Sequence, residues 1–262
     1  MRRKSVSIVL LGLFFISALS AQNYQKTTTG VKTKLQSMDM EVQFFSPTIV
    51  RVMKSPEGVA FKKKSLSVVK TPQKTDFTVN KQGDIVSLKS DKMEVDLNLL
   101  TGKVTYLDLT GNVLFTEKDY GTQFTPTLDV KKESFTVRQA FLLDKDEAIY
   151  GLGQQQNGRL NQRGQRNELK NGNTKVSIPF FQSLKGYGIF WDNYASTLFT
   201  DNAQETSFES LGDCSDYYFM YGGNADGVIA QMRDLTGQTP MLPLWTYGYF
   251  QSRERYKTQD EI

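Results

Sequence analysis

The sequence predicts a mainly β protein folded as an antiparallel β-sandwich, and three observations carry this prediction. From Val31 to about Tyr221, short apolar segments alternate with glycine-rich turns. Within this stretch, residues 93–99 alternate between apolar and polar side chains, which is the period of a half-buried strand. The composition, with 39% hydrophobic and 12% aromatic residues in 262, excludes a disordered or collagen-like chain.

The aromatic segments in the second half of the chain predict a β-hairpin. Residues 176–182 and 187–191 are rich in strand-forming side chains, and the turn at 183–186 joins them. Trp191 at the end of this hairpin is interpreted as a core residue, although a Trp in this place can also stack on a sugar. Upstream, Gly151 and Gly153 are interpreted as positions where the backbone bends out of a strand.

One amphipathic helix follows the strands and is expected to close the sandwich domain, which we place at residues 22–237. Asn224 is suited to cap its first turn, and apolar residues recur at helical spacing from Val228 to Leu235. Gly237 is predicted to end it.

The last part of the chain, residues 238–262, predicts a second kind of structure. The aromatic run Leu244–Phe250 suits a buried strand. Thr258 and Glu261 then match a capping box, in which each side chain satisfies a backbone N–H of the other at a helix start. We therefore expect a chain cut inside a βα unit, a naturally frayed tail being the alternative.

The N-terminus predicts a signal peptide over residues 1–21. Three basic residues, Arg2 to Lys4, precede an apolar stretch from Val6 to Leu19 that ends in small residues. An uncleaved membrane anchor is the alternative, and after cleavage no membrane span is expected. Without the three basic residues the chain carries 29 positive and 28 negative charges, which gives a nucleic-acid partner no support. The predicted location is periplasmic or secreted, in a bacterial envelope.

The composition also limits the chemistry of the chain. It contains no His, so Ser-His-Asp triads, Cys-His pairs and imidazole metal sites are excluded. Its one cysteine, Cys214, excludes an intrachain disulfide and a zinc site of several cysteines. No metal site and no cofactor is predicted.

Residues 154–173 are the segment whose composition points most directly to a ligand. Ten of these 20 residues are Asn or Gln, and basic residues lie among them. Amides both donate and accept hydrogen bonds, so such a loop can match the hydroxyls of a sugar. A long solvated loop held by its own amide hydrogen bonds is an equal alternative. The basic run at 62–64 is interpreted as a solvated turn.

Four motifs occur in a fixed order: IYGLGQ at 149–154, IPFF at 178–181, GYGIFWDN at 186–193 and PLWTYGYFQSR at 243–253. Together they resemble the N-terminal part of family 31 of the glycoside hydrolases, which contains α-glucosidases and α-xylosidases. The resemblance runs from about residue 30 to the end of the sequence, and its last motif is the most specific.

The resemblance implies a galactose-mutarotase-like β-sandwich followed by the first strand of a truncated (β/α)₈ barrel. It implies a secreted retaining α-glycosidase that removes terminal α-linked glucose or xylose from oligosaccharides, with the sandwich supporting and partly roofing the barrel pocket. The family's two catalytic Asp residues lie on later barrel strands. No catalytic residue is therefore assigned here, and the chain alone is expected to be inactive, because a retaining glycosidase needs both carboxyls.

Three substrate contacts follow from the same resemblance. Glu254 matches a position after the first barrel strand that lines the sugar pocket, where the family often has Tyr. The C-terminal ends of barrel strands carry the active site of that fold. Asn171 and Asn173 lie near the tip of the amide-rich loop, which corresponds in order to a sandwich loop reaching over the barrel mouth.

A second function remains open, that of a stand-alone carbohydrate-binding module, and the downstream reading frame distinguishes the two. Aldose mutarotation is disfavoured, because mutarotases of this fold use a catalytic His. An oligosaccharide is the expected partner in both remaining cases. The sequence does not determine whether the sugar is glucose or xylose, which linkage is cleaved, or what the oligomeric state is.

Overall fold

The computed structural model describes residues 24–59, 63–250 and 253–261, so the predicted signal peptide lies outside the described residues. Seventeen strands and one α-helix form within them. In chain order these are β1 (Tyr24–Lys26), β2 (Gly30–Leu35), β3 (Met38–Ser46), β4 (Ile49–Pro56), β5 (Thr78–Gln82), β6 (Ile85–Lys89), β7 (Glu94–Asn98), β8 (Val104–Leu107), β9 (Val113–Asp129), β10 (Lys132–Leu142), β11 (Ile149–Gln154), β12 (Arg166–Leu169), β13 (Val176–Ser183), β14 (Tyr187–Trp191), β15 (Thr197–Asp201), β16 (Thr206–Gly212), β17 (Ser215–Tyr221) and α1 (Ala225–Thr236).

The strands form two sheets, and the predicted antiparallel sandwich is confirmed. Sheet I has the order β1-β2-β3-β4-β17-β14-β13-β11, and sheet II has the order β12-β15-β16-β10-β9-β8-β7-β6-β5. Neighbouring strands pair antiparallel throughout the described residues. The predicted hairpin is β13–β14, and the alternating segment at 93–99 contains β7.

An aromatic core fills the space between the sheets. The rings of Tyr106 in sheet II and Phe219 in sheet I stack with their centroids 3.9 Å apart. Trp191 is fully buried and stacks on Phe208, and its indole N–H donates to Ser210 Oγ at 2.8 Å. The interpretation of Trp191 as a core residue is confirmed, since a ring buried between two sheets is not available to a sugar. Such aromatic pairs stabilise a fold by about 0.5–1.5 kcal/mol each beyond the area they bury.

The helix α1 packs on the outer face of sheet I. Its Val228 and Leu235 are buried in a second apolar cluster with Phe180 and Tyr218 of sheet I. The side chain of Asn224 accepts a hydrogen bond from the Gly227 N–H at 2.8 Å, which is the predicted N-cap. None of the helices in the described residues has the length and apolar character that a membrane crossing requires.

The segment of residues 63–70, here called the strap, lies beside this helix. Its end is held by backbone hydrogen bonds from Val69 and Lys70 to the Leu235 carbonyl, at 3.1 and 3.2 Å, and by an ion pair between Lys70 and Asp234 at 2.7 Å. Its beginning carries Lys63, whose side chain is only 19% exposed because it pairs with buried carboxylates. The interpretation of this part of the basic run as a solvated turn is therefore wrong for Lys63.

A break in the pairing of β11 with β13 confirms the predicted bend at the two glycines. The register shifts between Gly151 and Gly153, and both have positive φ, 135° and 81°. Leu152 between them also has a positive φ, of 66°. Its side chain is buried in the core. A Cβ at Gly153 would lie 2.1 Å from the Val176 carbonyl oxygen, so only glycine allows this close approach.

The C-terminal segment differs from its prediction. Leu244–Tyr247 form a 3₁₀ helix, not a buried strand, and Trp245 is 70% exposed. A strand needs neighbours to take its backbone N–H and C=O groups, and no described strand pairs with this segment. Gln259–Glu261 form a 3₁₀ turn, in which Glu261 accepts from the Lys257 N–H at 3.0 Å and not from the predicted N-cap residue Thr258.

Cys214 supplies a direct test of the packing at the turn between β16 and β17. The residue is 8% exposed, and burial raises the pKa of its thiol to about 12. We expect iodoacetamide at pH 8 to leave the folded chain unlabelled, because only about one thiol in ten thousand is then ionised and reactive. The unfolded chain should label within minutes in the same reagent. Rapid labelling of the folded chain, detected by mass spectrometry, would contradict this placement of Cys214.

Candidate functional site

The amide-rich segment begins as a self-supported loop. The Asn167 side chain donates to Gln162 Oε1 at 2.9 Å and accepts from Asn157 Nδ2 at 3.3 Å, and Gln162 donates to the Arg159 carbonyl at 2.8 Å. Gln162 and Asn167 are buried. This part of the segment therefore matches the alternative in which the amides hold the loop itself, and their hydrogen-bonding capacity is used there.

Arg163 fixes the loop to the sandwich. Its guanidinium donates to Asp201 Oδ2 at 3.1 Å and to the carbonyls of Asp144 and Glu147 at 2.7 and 2.6 Å. A guanidinium with three acceptors from two other segments is a structural clamp, because few of its donors remain for a ligand. The loop thus leaves the sandwich in a defined direction.

The two predicted contact residues of this segment lie at its far end. Asn171 and Asn173 are exposed in the turn between β12 and β13. Gly172 and Lys175 close the turn through a pair of backbone hydrogen bonds at 3.2 and 3.3 Å. Asn171 Oδ1 accepts from the Ser177 N–H at 2.7 Å, so its amide group has a fixed orientation. Structure therefore divides the segment into a buried support and an exposed tip.

Beside this tip is a cleft of about 250 Å³, here called the mouth cleft. It is lined by residues from the ends of strands of both sheets, among them Lys170, Asn171, Ser177, Pro179 and Tyr194. Tyr194 was not predicted as a site residue, although it directly follows the GYGIFWDN motif. The signal for it in the sequence is an aromatic residue three positions after the end of the buried strand β14.

Tyr194 is attached to the strap. Its hydroxyl donates to the Lys64 carbonyl at 3.0 Å and accepts from the Leu66 N–H. The Lys63 ammonium lies 4.9 Å from the centroid of the Tyr194 ring, within the range of a cation–π interaction. The residue is 50% exposed, so part of its surface is open to solvent.

Behind Tyr194, a buried charge cluster holds Lys63. Its ammonium lies 3.1 Å from Asp216 Oδ2 and 3.4 Å from Asp192 Oδ1, and both carboxylates are almost completely buried. Arg51 binds the Asp216 carboxylate with two hydrogen bonds of 2.8 Å. Burial raises the pKa of the Asp192 carboxyl, and the nearby Lys63 ammonium opposes this shift. Lys63 therefore neutralises Asp192 and binds the strap to the sandwich.

Glu254, the third predicted contact residue, lies in the C-terminal segment. It is exposed, and within the described residues it makes no hydrogen bond or ion pair. No described contact links it to Asn171 or Asn173. Within the part of the chain that the structure describes, no group of three or more Cys, Asp and Glu side chains is arranged to hold a metal ion.

The sequence profile of the glycosyl hydrolase 31 N-terminal galactose mutarotase-like domain matches residues 39–208, which is more than half of the chain. The chain belongs to glycosyl hydrolase family 31. The matched residues include most of both sheets, the amide-rich loop and the mouth cleft.

Curated relatives in family 31 are similar along most of this chain. An α-xylosidase of Saccharolobus solfataricus is 36% identical over 241 residues, which cover 87% of this chain and 32% of that protein. An α-glucosidase of Bacillus thermoamyloliquefaciens is 30% identical over 239 residues, with 85% and 29% covered. The chain therefore spans about a third of the length of these relatives, and it holds the N-terminal domain of the family.

Solved family 31 structures have the same fold. An α-xylosidase from Xanthomonas citri superposes with a TM-score of 0.80 at 22% identity, covering 90% of this chain and 43% of that one. A dextranase from Flavobacterium johnsoniae complexed with glucose superposes with a TM-score of 0.73 at 25% identity, covering 87% and 29%. The galactose-mutarotase-like sandwich expected from the motifs is thus confirmed.

Proposed function

We propose that this chain is the N-terminal part of an exported retaining α-glycosidase of family 31 that removes terminal α-linked glucose or xylose from oligosaccharides. The observation that carries the proposal is the 36% identity to an α-xylosidase along 87% of the chain. Export to the periplasm or the medium rests on residues 1–21, whose basic, apolar and small-residue regions follow the order of a signal peptide.

In this proposal the chain supports the active site and does not perform the bond cleavage. A retaining mechanism needs two carboxyls about 5–5.5 Å apart with the sugar between them. The neighbouring carboxylates Asp192 and Asp216 do not meet this need, because both are buried and Lys63 lies against them. The exposed residues Asn171, Asn173 and Glu254 remain the proposed substrate contacts, and residues 238–262 remain the proposed start of the barrel.

The test compares the 262-residue chain with the longest product of its reading frame. We expect the chain to give no hydrolysis of p-nitrophenyl α-glucoside or α-xyloside above the background rate, and the longer product to hydrolyse at least one of them. Periplasmic material should begin near Ala21 or Gln22 on N-terminal sequencing. Turnover by the pure chain that disappears in Glu254→Gln would contradict the proposal, and so would a stop codon directly after Ile262.

A further inference from the structure

We propose that Asn157 is a site of spontaneous deamidation, a covalent modification that loosens the amide-rich loop, and that Asn171 in the same segment is protected from it. This goes beyond the proposed function, since it concerns the chemistry of the loop itself and needs no substrate. Two Asn-Gly sequences occur in the chain, at 157–158 and 171–172. Such a sequence is open to attack by the glycine nitrogen on the side-chain amide, because glycine has no Cβ to shield that nitrogen.

The reaction joins two atoms that are close neighbours in the chain. Hydroxide removes the proton of the Gly158 N–H, and this nitrogen forms a bond with Asn157 Cγ. The bond between Cγ and Nδ2 breaks, and Nδ2 takes a proton from water and leaves as ammonia, which regenerates the hydroxide. Water then opens the five-membered imide at either carbonyl and gives an aspartate or an isoaspartate at position 157. The ring closure needs no enzyme, because both reacting groups belong to one chain.

The structure presents Asn157 in a form that favours this attack. Asn157 Oδ1 accepts a hydrogen bond from the Arg159 N–H at 3.0 Å, so the side chain folds towards the backbone that follows it, as in an Asx turn. The same N–H stabilises the negative charge that develops on Oδ1 during the attack. Within the described residues, the Gly158 N–H makes no hydrogen bond, so the attacking nitrogen is free. Asn157 and Gly158 are both exposed to water and hydroxide.

Asn171 has the same following residue and is also exposed, but its groups are engaged. Its Oδ1 accepts from the Ser177 N–H at 2.7 Å, which holds the amide group at β13. Gly172 donates its N–H to the Lys175 carbonyl at 3.2 Å. The Gly172 nitrogen can attack only after both hydrogen bonds break. Since each hydrogen bond contributes a factor of roughly five to an equilibrium constant, we expect the two together to slow the reaction about tenfold or more.

Deamidation of Asn157 removes a donor from the buried support of the loop. Asn157 Nδ2 donates to Oδ1 of the buried Asn167 at 3.3 Å, and Asn167 in turn donates to Gln162 at 2.9 Å. An ionised carboxylate at position 157 has only acceptors, so it would face the Asn167 oxygen with no proton between them. The link between positions 157 and 167 is then lost, and the support opens more readily. The change is permanent, because the ammonia leaves.

The experiment incubates the 262-residue chain in mildly alkaline buffer, once folded and once unfolded in guanidinium chloride, and follows both Asn-Gly sites by peptide mapping with mass spectrometry. In the unfolded chain we expect similar rates at the two sites, because only the local sequence acts there. In the folded chain Asn157 should keep its rate, and Asn171 should react about tenfold more slowly or less. Gly158→Ala should suppress the reaction at Asn157 and leave that at Asn171 unchanged, because the added methyl group shields one nitrogen only.

Amide hydrogen exchange measures the effect on the loop. Asn157→Asp is a stable form of one product, and it should speed exchange in residues 157–167, as should prolonged incubation of the unchanged chain. The matched control is Asn171→Asp, which keeps an oxygen for the Ser177 N–H and should leave exchange unchanged.

Two results would overturn the proposal. One is a rate at Asn171 in the folded chain that equals or exceeds the rate at Asn157. The other is unchanged exchange of the loop in Asn157→Asp. Neither result bears on the glycosidase assay of the longer product, so this proposal and the proposed function fail separately.

Discussion

Replacing Lys54 by Met is expected to lower the free energy of unfolding by about 3–5 kcal/mol, because it leaves a buried carboxylate without its cation. Lys54 Nζ lies 2.6 Å from Glu117 Oε2, and the two side chains are 2% and 1% exposed between the sheets. Lys54 also donates to the Gly102 carbonyl at 3.0 Å and to Thr122 Oγ1 at 2.9 Å. Burial lowers the pKa of Lys54, which reports the same desolvation.

Urea unfolding of three variants measures how much the ion pair between Lys54 and Glu117 contributes to stability. Lys32→Met is the matched control, since Lys32 pairs with Glu41 at 3.2 Å across neighbouring strands of sheet I but is 54% exposed, and its loss should cost less than about 1 kcal/mol. In the double variant Lys54→Met/Glu117→Gln both charges disappear while an acceptor remains for Tyr217 and the Val104 N–H, so it should be more stable than Lys54→Met alone. A Lys54→Met midpoint close to that of the control, at an unchanged m-value, would contradict the argument.

Gly153→Ala is expected to lower the free energy of unfolding by about 3 kcal/mol or more, because it combines backbone strain with a steric overlap. The residue has a φ of 81°, and the added Cβ would lie 2.1 Å from the Val176 carbonyl oxygen. Backbone must move to relieve this overlap, and the pairing of Gly153 with Ser177 is lost with it. Ser177 orders the Asn171 amide, so the substitution should also disorder the tip of the amide-rich loop.

Gly158→Ala separates the two penalties. Gly158 has a similar φ of 68°, but no atom lies within 4 Å of an added Cβ. Its substitution should lower the free energy of unfolding by only about 1 kcal/mol, the strain of a side chain at a left-handed backbone position. Equal melting temperatures for the two variants would show that the Val176 carbonyl can move away from the added Cβ without loss of stability. They would also show that β13 does not constrain the loop.

These two sites explain how the sandwich carries a defined loop. Glu117 accepts hydrogen bonds from Tyr217 at 2.8 Å and from the Val104 N–H at 2.9 Å, so one ion pair joins strands of both sheets. Gly153 then lets the start of β13, directly after the loop tip, approach β11 closely. A rigid scaffold below an exposed loop is the arrangement in which loops act as binding elements.

Local patterns in the sequence determined the sandwich, its hairpin at β13–β14, the N-cap at Asn224 and the core position of Trp191. Alternation and capping depend on neighbours within a few residues, so they can be derived from the order of residues alone. Leu244–Phe250 shows the limit of this reasoning. Its aromatic composition suits a strand, but a strand exists only where other strands pair with it, and the described residues provide none.

Only the tertiary structure decided which polar residues support the fold and which face solvent. The amides of Gln162 and Asn171 lie in one amide-rich segment, yet the first is buried in the loop's own hydrogen bonds and the second is exposed at the cleft. Lys63, from a run that is typical of a solvated turn, lies against two buried carboxylates from distant strands. The partners of Lys63 lie more than a hundred residues away in the sequence, and the free energy of a buried charge depends on which opposite charge the fold places beside it.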